Sequence, residues 1–169
     1  RYTRAQYLEL VNYAKSVMPD IVLTSDVIIG FPGETEAEAM DTVSLVEEVG
    51  FDALFTFIYS PRPGTKAAAM PDPAAKEEKQ VWFDRLLAVQ NAKSAGIHAA
   101  YIGKAVRVLV DGRSGDENYP LSSRTEGNRL VRLKGSENLI GQFVRAKITA
   151  SNTWALYGEV EEMKPHCSC

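Results

Sequence analysis

The sequence predicts an α/β unit followed by a small all-β barrel, and three observations support this fold class. Residues 21–30 and 53–60 form two mostly apolar runs, which are typical of parallel strands buried on both faces. Apolar residues at helical spacing precede and separate these runs, so the order is helix, strand, helix, strand. From residue 104 the hydrophobic period changes to two, which indicates five short strands separated by turns. Five such strands in roughly sixty residues favour a barrel of the oligonucleotide-binding kind.

The composition is that of a globular protein. Of the 169 residues, 45% are hydrophobic and 24% are charged, unlike a disordered chain. No apolar run approaches the roughly 20 residues that a membrane helix needs, and the first residues do not resemble a secretory signal. Arg1 in place of Met indicates a cut or processed chain. The two cysteines are Cys167 and Cys169, so no disulfide framework can form in the core and a cytoplasmic protein is expected.

Three helices are predicted from their end signals. The first follows Thr3, which can form a capping box with Gln6, and the second follows Thr35, which can do so with Glu38. Gly50 is a suitable C-terminal cap for the second helix.

The third helix is predicted to have Asp72 as its cap and Pro73 as its first residue, and to end at Gly96. The five strands are expected at residues 104–111, 119–124, 129–134, 142–150 and 154–160. In the fourth of these, residues 144, 146, 148 and 150 should share one face of the strand, and residues 145, 147 and 149 the other.

The first candidate site is residues 24–34, where an apolar strand ends at Gly30 and a turn leads into a helix. Ligands collect at the carboxyl ends of strands in open α/β folds. Asp26 lies inside the strand, where a polar group needs a partner or faces a cavity. A nucleoside or cofactor pocket is one interpretation, because Gly30 would let a ligand approach the backbone. An ordinary strand-to-helix turn, with Asp26 capping a local group, is the other. Neither phosphate-loop pattern occurs in the sequence.

The second candidate site is residues 55–65. An aromatic strand with Phe55, Phe57 and Tyr59 on one side ends in a loop that holds Arg62 between two prolines. Such a segment could line a pocket and direct a cation at a phosphate or a base. Core packing is the alternative explanation for Phe55 and Phe57, whereas Arg62 is harder to explain by packing.

Basic side chains are concentrated in the predicted barrel. Residues 98–169 carry 10 Lys and Arg against 8 Asp and Glu, whereas residues 1–97 carry 9 against 14. Phosphate contacts together with a stackable aromatic such as Tyr119 are what looped RNA requires. A solvated barrel surface explains the same charges equally well. The candidate RNA-binding residues are Arg107, Arg124, Asn128, Arg129, Arg132, Lys134, Arg145 and Lys147.

No metal site or catalytic triad is predicted. His166, Cys167 and Cys169 offer side chains of metal-ligand type, but a C-x-C pattern at a chain end is more often a tail. His98 is the other histidine, and we interpret it as a structural or exposed residue.

Three motifs in this order resemble the radical S-adenosylmethionine (SAM) methylthiotransferases. They are residues 21–35 (IVLTSDVIIGFPGET), residues 57–65 (FIYSPRPGT) and residues 124–131 (RTEGNRLV). The pair Arg62-Pro63 resembles the tRNA 2-methylthioadenosine synthases (MiaB type), since the branch that modifies a ribosomal protein usually carries acidic residues there. The third motif is similar to the family's TRAM domain, a five-stranded RNA-binding barrel.

The resemblance implies the domain organisation. Residues 1–96 would form the C-terminal part of a radical-SAM partial (β/α) barrel with a linking helix, residues 97–163 a five-stranded TRAM β-barrel, and residues 164–169 a tail. The intact enzyme would bind SAM and two [4Fe–4S] clusters, whose cysteine ligands this chain lacks. The N-terminal part of the same protein would supply those ligands, so this chain alone is expected to be inactive.

The resemblance also implies the activity, which is addition of a methylthio group to C2 of a prenylated adenosine next to the anticodon. One SAM methylates sulfur at the auxiliary cluster, and a second yields the radical that abstracts hydrogen from adenine C2. The TRAM domain would bind the tRNA anticodon arm through its phosphates. The candidates are Ile28, Gly30, Phe57 and Tyr59 for cofactor binding, and Asp26 and Arg62 for the substrate side of the pocket. Another methylthiotransferase branch and a stand-alone RNA-binding chain are the alternatives.

Overall fold

The chain folds into two compact units. The computed structural model describes residues 2–161; the first unit ends at Ser94 and the second begins at Ala95. The predicted tail with His166, Cys167 and Cys169 lies outside the described residues. Among residues 2–161, no helix has both the length and the apolar composition needed to cross a membrane.

The first unit alternates helices and strands, as predicted. Its strands β1 (Thr24–Ile29) and β2 (Ala53–Ile58) pair in parallel, with Thr24 opposite Ala53 and Ile29 opposite Ile58. A short 3-10 turn follows β2 at Ala67–Ala69. Its helices are α1 (Arg4–Val17), α2 (Glu36–Val49) and α3 (Lys76–Ala99), of which residues 95–99 belong to the second unit.

Both predicted capping boxes are present. The Thr3 side chain accepts a hydrogen bond from the backbone N–H of Gln6, whose side chain accepts one from Thr3 in return. Thr35 and Glu38 do the same at the start of α2. The backbone N–H of Thr35 lowers the pKa of Glu38 below its ordinary value, because that hydrogen bond favours the charged carboxylate. Gly50 ends α2 in the left-handed conformation with a φ of 64°, which glycine adopts without strain.

The core of the first unit lies between one face of the sheet and the helices. Trp82 and Leu86 of α3 belong to the same buried cluster as Val46 of α2 and Ile29 of β1. Burial of such side chains stabilises the fold by about 1.5–3 kcal/mol each. The other buried members of this cluster are Val11, Ala39, Val49 and Phe51.

The opposite face of this sheet is exposed, so the prediction that these strands are buried on both faces is wrong. Ile28 is 53% exposed, and Phe55 and Phe57 are 61% and 54% exposed. Core packing within residues 2–161 therefore does not explain the two phenylalanines. The reason is that helices on one side of a two-stranded sheet cover only one of its faces.

Helix α3 begins later than predicted, and Asp72 is not its cap. The first helical residue is Lys76, and the carboxylate of Glu78 accepts a hydrogen bond from the Ala75 backbone at 2.8 Å. Asp72 instead accepts a hydrogen bond from the side chain of Lys79. Glu78 therefore caps the start of α3, which is the role that the sequence predicted for Asp72.

Helix α3 also ends later than predicted, since it continues through Gly96 to Ala99. A lone glycine costs a helix only about 1 kcal/mol, which favourable contacts of the last turn can offset. One such contact is made by His98, which is 7% exposed and whose Nδ1 donates to the backbone carbonyl of Asn152 at 2.7 Å. His98 is thus structural, which is one of the two interpretations given above.

All five predicted strands are present in the second unit. Their order is β3-β4-β5-β7-β6, and β3 also pairs with β6, so the sheet closes on itself. β5 and β7 pair in parallel, and the other neighbours are antiparallel. The strands are β3 (Ala105–Asp116), β4 (Tyr119–Thr125), β5 (Leu130–Lys134), β6 (Phe143–Ser151) and β7 (Leu156–Val160).

Strand β6 alternates as predicted for most of its length. Ala146 and Ile148 are fully buried, and Lys147 between them is exposed. Ala150, predicted to share a face with Ala146 and Ile148, is exposed. The register of the β6–β7 pair shifts between Ile148 and Ala150, and such a bulge changes the face to which a side chain points. Strand β7 begins at Leu156, two residues later than predicted.

Gly158→Ala should destabilise the barrel. Gly158 lies in β7, and a Cβ atom there would lie 2.5 Å from the backbone oxygen of Lys147. Because backbone has to move, we expect the free energy of unfolding to fall by about 1–3 kcal/mol or more. Urea denaturation followed by circular dichroism measures this loss.

Gly112→Ala is the matched control, because a Cβ atom at this strand glycine would meet no atom within 4 Å. Equal losses in the two variants would contradict the packing argument.

Candidate functional site

A cleft of about 790 Å³ opens on the exposed face of β1 and β2. Both strands and the loop after β2 contribute to it. The fold brings together in this cleft five of the six residues predicted for cofactor or substrate binding, although their roles stay predictions. These five are Asp26, Ile28, Phe57, Tyr59 and Arg62.

The parallel pairing explains why these residues meet. Asp26 lies opposite Phe55, and Ile28 lies opposite Phe57. Side chains two residues apart along a strand point to the same face of the sheet. The cleft therefore has an aliphatic and aromatic floor, with one carboxylate beside it.

The loop after β2 contributes the cation. The backbone N–H and the hydroxyl of Thr65 both donate to the backbone carbonyl of Arg62, at 3.2 and 2.8 Å. These bonds fix the turn from which the exposed side chain of Arg62 reaches the cleft. A guanidinium beside an apolar surface suits a carboxylate or phosphate group of a bound molecule.

Tyr59 holds a hydroxyl that is buried without a hydrogen-bond partner among residues 2–161. Its ring packs edge-to-face on Phe31, with ring centres 5.2 Å apart. Its backbone N–H donates to the carbonyl of Ile29 at 2.8 Å. An unsatisfied hydroxyl costs about 1–3 kcal/mol, so a partner from a bound molecule or from further residues would stabilise this site.

Gly30, the sixth predicted residue, lies against α3 and does not line the cleft. Its φ is 75°, and a Cβ atom there would lie 2.6 Å from Cδ and 2.9 Å from Cγ of Lys79. Its backbone N–H donates to the carboxylate of Glu34. Packing against Lys79 thus explains the glycine, and cofactor binding by Gly30 stays a prediction.

Lys79 is a residue that sequence reasoning missed. It is 6% exposed, and its ammonium group donates to Asp72 at 2.5 Å. A buried charge needs such a partner. Because the stem of Lys79 covers Gly30, the pair connects the segment before α3 to the end of β1. No pattern in the sequence distinguishes Lys79 from the exposed lysines of the chain.

Three of the predicted basic residues of the barrel are paired with carboxylates, and we call these three the first group. Acidic partners weaken the local field that a polyanion would experience. The pairs are Arg107–Glu126 at 3.3 Å, Arg124–Asp111 at 3.4 Å and Arg145–Glu161 at 3.2 Å.

The second group, Arg132 and Lys134, lies near tyrosines, whereas Arg107 of the first group lies 4.2 Å from the centre of the Phe143 ring. The Nζ of Lys134 lies 5.4 Å from the centre of the Tyr119 ring, which packs edge-to-face on Tyr157 with centres 5.0 Å apart. Arg132 lies opposite Tyr157 in the β5–β7 pair. We call Tyr119, Arg132, Lys134 and Tyr157 the aromatic–basic patch. Lys147, also predicted, is exposed on β6.

Arg129 and Asn128 support the fold of the barrel. Arg129 is 8% exposed; its guanidinium lies 5.3 Å from the centre of the Tyr101 ring, and its Nε donates to the Tyr101 hydroxyl at 3.2 Å. Asn128 has a φ of 60°, and its N–H donates to the carbonyl of Thr125, as in a tight turn. Their contact with RNA stays a prediction, and substitutions at either position would disturb the fold.

The described residues do not fit an iron–sulfur cluster. Within residues 2–161, no three His, Cys, Asp or Glu side chains are grouped so that they could hold a metal ion. Clusters are bound mainly by cysteine thiolates, and both cysteines lie outside that range.

Comparison with known proteins identifies the second unit. Residues 99–160 match the family model of the TRAM domain. The barrel is a TRAM domain. The match includes all five strands of the TRAM domain, which agrees with the resemblance seen in residues 124–131.

The whole chain is similar to proteins named tRNA-2-methylthio-N(6)-dimethylallyladenosine synthase. It is 47% identical over 162 residues to that of Bacillus cereus (strain B4264), which is 96% of this chain and 32% of the relative. It is 44% identical over 163 residues to that of Thermoanaerobacter sp. (strain X514), which is 96% of this chain and 35% of the relative. The chain spans about a third of the length of these relatives. The resemblance to the tRNA 2-methylthioadenosine synthases is confirmed.

Gly30→Ala should destabilise the first unit through Lys79. A Cβ atom would overlap the Lys79 stem, and a φ of 75° strains alanine, so we expect a loss of about 1–3 kcal/mol in the free energy of unfolding. Combined with Lys79→Ala, which removes the stem, the change should cost less than the sum of the single losses by about 0.5–3 kcal/mol. In a Trp154→Phe background, urea denaturation followed by Trp82 fluorescence reports on the first unit. Strictly additive losses would contradict this contact.

Proposed function

We propose that this chain is part of a tRNA methylthiotransferase that adds a methylthio group to C2 of a prenylated adenosine next to the anticodon. The observation that carries the proposal is the 44–47% identity, over 96% of the chain, to proteins named for this synthesis. The Arg62-Pro63 loop beside the cleft supports the tRNA branch of the family. The activity is proposed for the intact protein, acting on cytoplasmic tRNA.

In this proposal, the cleft on β1 and β2 is one wall of a SAM pocket. Ile28 and Phe57 would contact the faces of the adenine ring, which are apolar and suited to an aromatic surface. Asp26 and Arg62 would contact the substrate side, where an acceptor and a cation can orient the adenosine and its phosphates. A molecule bound there would also shield the apolar floor from water. SAM, when bound, supplies the methyl group and the radical chemistry.

Further residues of the intact enzyme would complete this pocket. Among the described residues, β1 and β2 pair only with each other, so each has an edge that can accept another strand. A partial (β/α) barrel that continues at these edges would cover the open side of the cleft. The ligands of both [4Fe–4S] clusters would come from that part, since residues 2–161 do not fit a cluster.

The TRAM domain would bind the anticodon arm of tRNA. Cations of the aromatic–basic patch and Lys147 would contact phosphates, which positions the RNA without reading its sequence. The two tyrosines of the patch would offer rings to unpaired bases.

Cells that lack the parent gene should lose the 2-methylthio group and accumulate the prenylated adenosine, as measured by mass spectrometry of bulk tRNA. Reintroduced parent enzyme with Phe57→Ala should restore little of the modification, because loss of a ring–base contact weakens binding by about 5- to 100-fold. Tyr13→Ala is the control, since Tyr13 is 67% exposed on α1 and does not line the cleft.

The outcomes separate the alternatives. Loss of the methylthio group from another tRNA adenosine, or from a ribosomal protein, would indicate another branch. No change in any modification would favour a stand-alone RNA-binding chain. Full restoration by Phe57→Ala would contradict the pocket assignment.

Lys134→Ala combined with Lys147→Ala should weaken binding of an anticodon stem-loop RNA and reduce its salt dependence. Each lost phosphate contact lowers the slope of log K against log salt by about 0.7–0.9. The matched control is Arg107→Ala with Arg145→Ala, which removes the same charge from side chains that are paired with carboxylates. Anisotropy titrations at several salt concentrations measure both slopes. Equal slopes in the two double variants would overturn the distinction between the two groups.

A further inference from the structure

We propose that Trp154 of the TRAM domain stacks on an unpaired RNA base. This inference rests on the proposed RNA-binding function and deepens it in two respects. It assigns a contact to a residue outside the predicted basic set, and it specifies looped or single-stranded RNA in preference to duplex.

The turn between β6 and β7 is built around Asn152. Its side-chain oxygen accepts hydrogen bonds from the backbone N–H groups of Trp154 and Ala155, both at 2.8 Å. Its side-chain nitrogen donates to the Tyr157 hydroxyl at 2.9 Å, and its backbone N–H donates to the carbonyl of Ala155 at 2.9 Å. Its backbone carbonyl accepts from Nδ1 of the buried His98 at 2.7 Å. Every type of polar group on Asn152 is engaged, so the backbone that carries Trp154 is held in place.

This fixed turn presents a large apolar ring to solvent. Trp154 is 71% exposed, whereas Trp82, the other tryptophan, is 5% exposed and belongs to the core. A tryptophan side chain has only two rotatable bonds, so binding on a fixed backbone loses little conformational entropy. Its indole provides a flat surface on which any base can stack.

The turn is linked through contacts to the aromatic–basic patch. The Asn152 amide donates to the hydroxyl of Tyr157, Tyr157 packs on Tyr119, and Lys134 lies over the Tyr119 ring. The salt bridges found among the described residues of the barrel engage neither Arg132 nor Lys134. The surface thus combines rings for bases with cations for phosphates, which is the chemistry of single-stranded RNA recognition.

Duplex RNA fits this surface less well. Its bases are stacked on one another, and its deep major groove does not admit side chains. A protruding indole therefore gains a stacking partner only where a base is unpaired, as in a hairpin loop.

The test uses the 169-residue chain and two labelled RNAs, a stem-loop and a blunt duplex with the same number of phosphates. Trp154→Ala should weaken stem-loop binding by about 5- to 100-fold, which corresponds to the loss of one stacked base. Its salt slope should stay unchanged, because no charge is lost, and duplex binding should stay unchanged as well. Trp154→Phe should retain most of the affinity. Tyr13→Ala, which removes a ring that is 67% exposed on α1, is the control and should bind like the wild type.

Fluorescence supplies an independent readout. Stacking should quench the emission of Trp154 when the stem-loop is added, and Trp154→Phe gives the baseline signal of Trp82 alone. Unchanged melting temperatures are expected for the Trp154 variants, since the side chain is mostly in solvent. A folding defect is therefore distinguishable from a binding defect.

The outcomes distinguish this inference from the function on which it rests. If the wild type binds neither RNA, the RNA-binding function is overturned and the inference falls with it. If the wild type binds the stem-loop but Trp154→Ala binds it equally well and no quenching occurs, only the stacking inference is overturned. Equal losses for stem-loop and duplex, or an equal loss in Tyr13→Ala, would also reject stacking at Trp154.

Discussion

The parallel pairing of β1 with β2 is the constraint on which the candidate cleft depends. It aligns Asp26 with Phe55 and Ile28 with Phe57, and the helices cover only the other face of the sheet. Exposed apolar surface costs about 25 cal/mol per Å², so such a face is normally covered by a ligand or by more protein. The buried hydroxyl of Tyr59 lacks a hydrogen-bond partner among residues 2–161, so it too would be stabilised by a ligand or by more protein.

Local signals predicted the elements of this fold well, and non-local packing set the limits of those predictions. The capping box of Thr35 is encoded within four residues, and the structure shows it as expected. The neighbour of Gly30 is Lys79, which is distant in sequence, so no local pattern could indicate it. The exposure of Phe57 also could not be predicted locally. A continuous apolar strand indicates that the strand is buried, but it does not indicate which residues cover it.

The candidate site shows the same division between local and non-local information. The family resemblance indicated one pocket for Asp26 and Arg62, and both residues line the cleft. The charged residues of the barrel could be counted from the sequence, but which of them form salt bridges could not be predicted. Arg145 pairs with Glu161 because the strand register brings them together, and that register depends on bulges and turns. The sequence predicts Trp154 at the start of a strand, but it lies in a turn. That turn depends on hydrogen bonds of Asn152 with residues as distant as His98, which no local pattern indicates.

The closed barrel explains why its binding chemistry has to lie on the outside. Side chains such as Leu121, Ile148 and Leu156 fill the interior with no exposed surface, so there is no lumen for a ligand. On the outer face, side chains on neighbouring strands contact each other, as Tyr119 and Tyr157 do, which leaves them half-buried. A large ring can project further from a turn than from a strand, provided that the turn is rigid. The hydrogen bonds of Asn152 meet that condition, so a turn that looks like a simple connection is well suited to present a stacking residue.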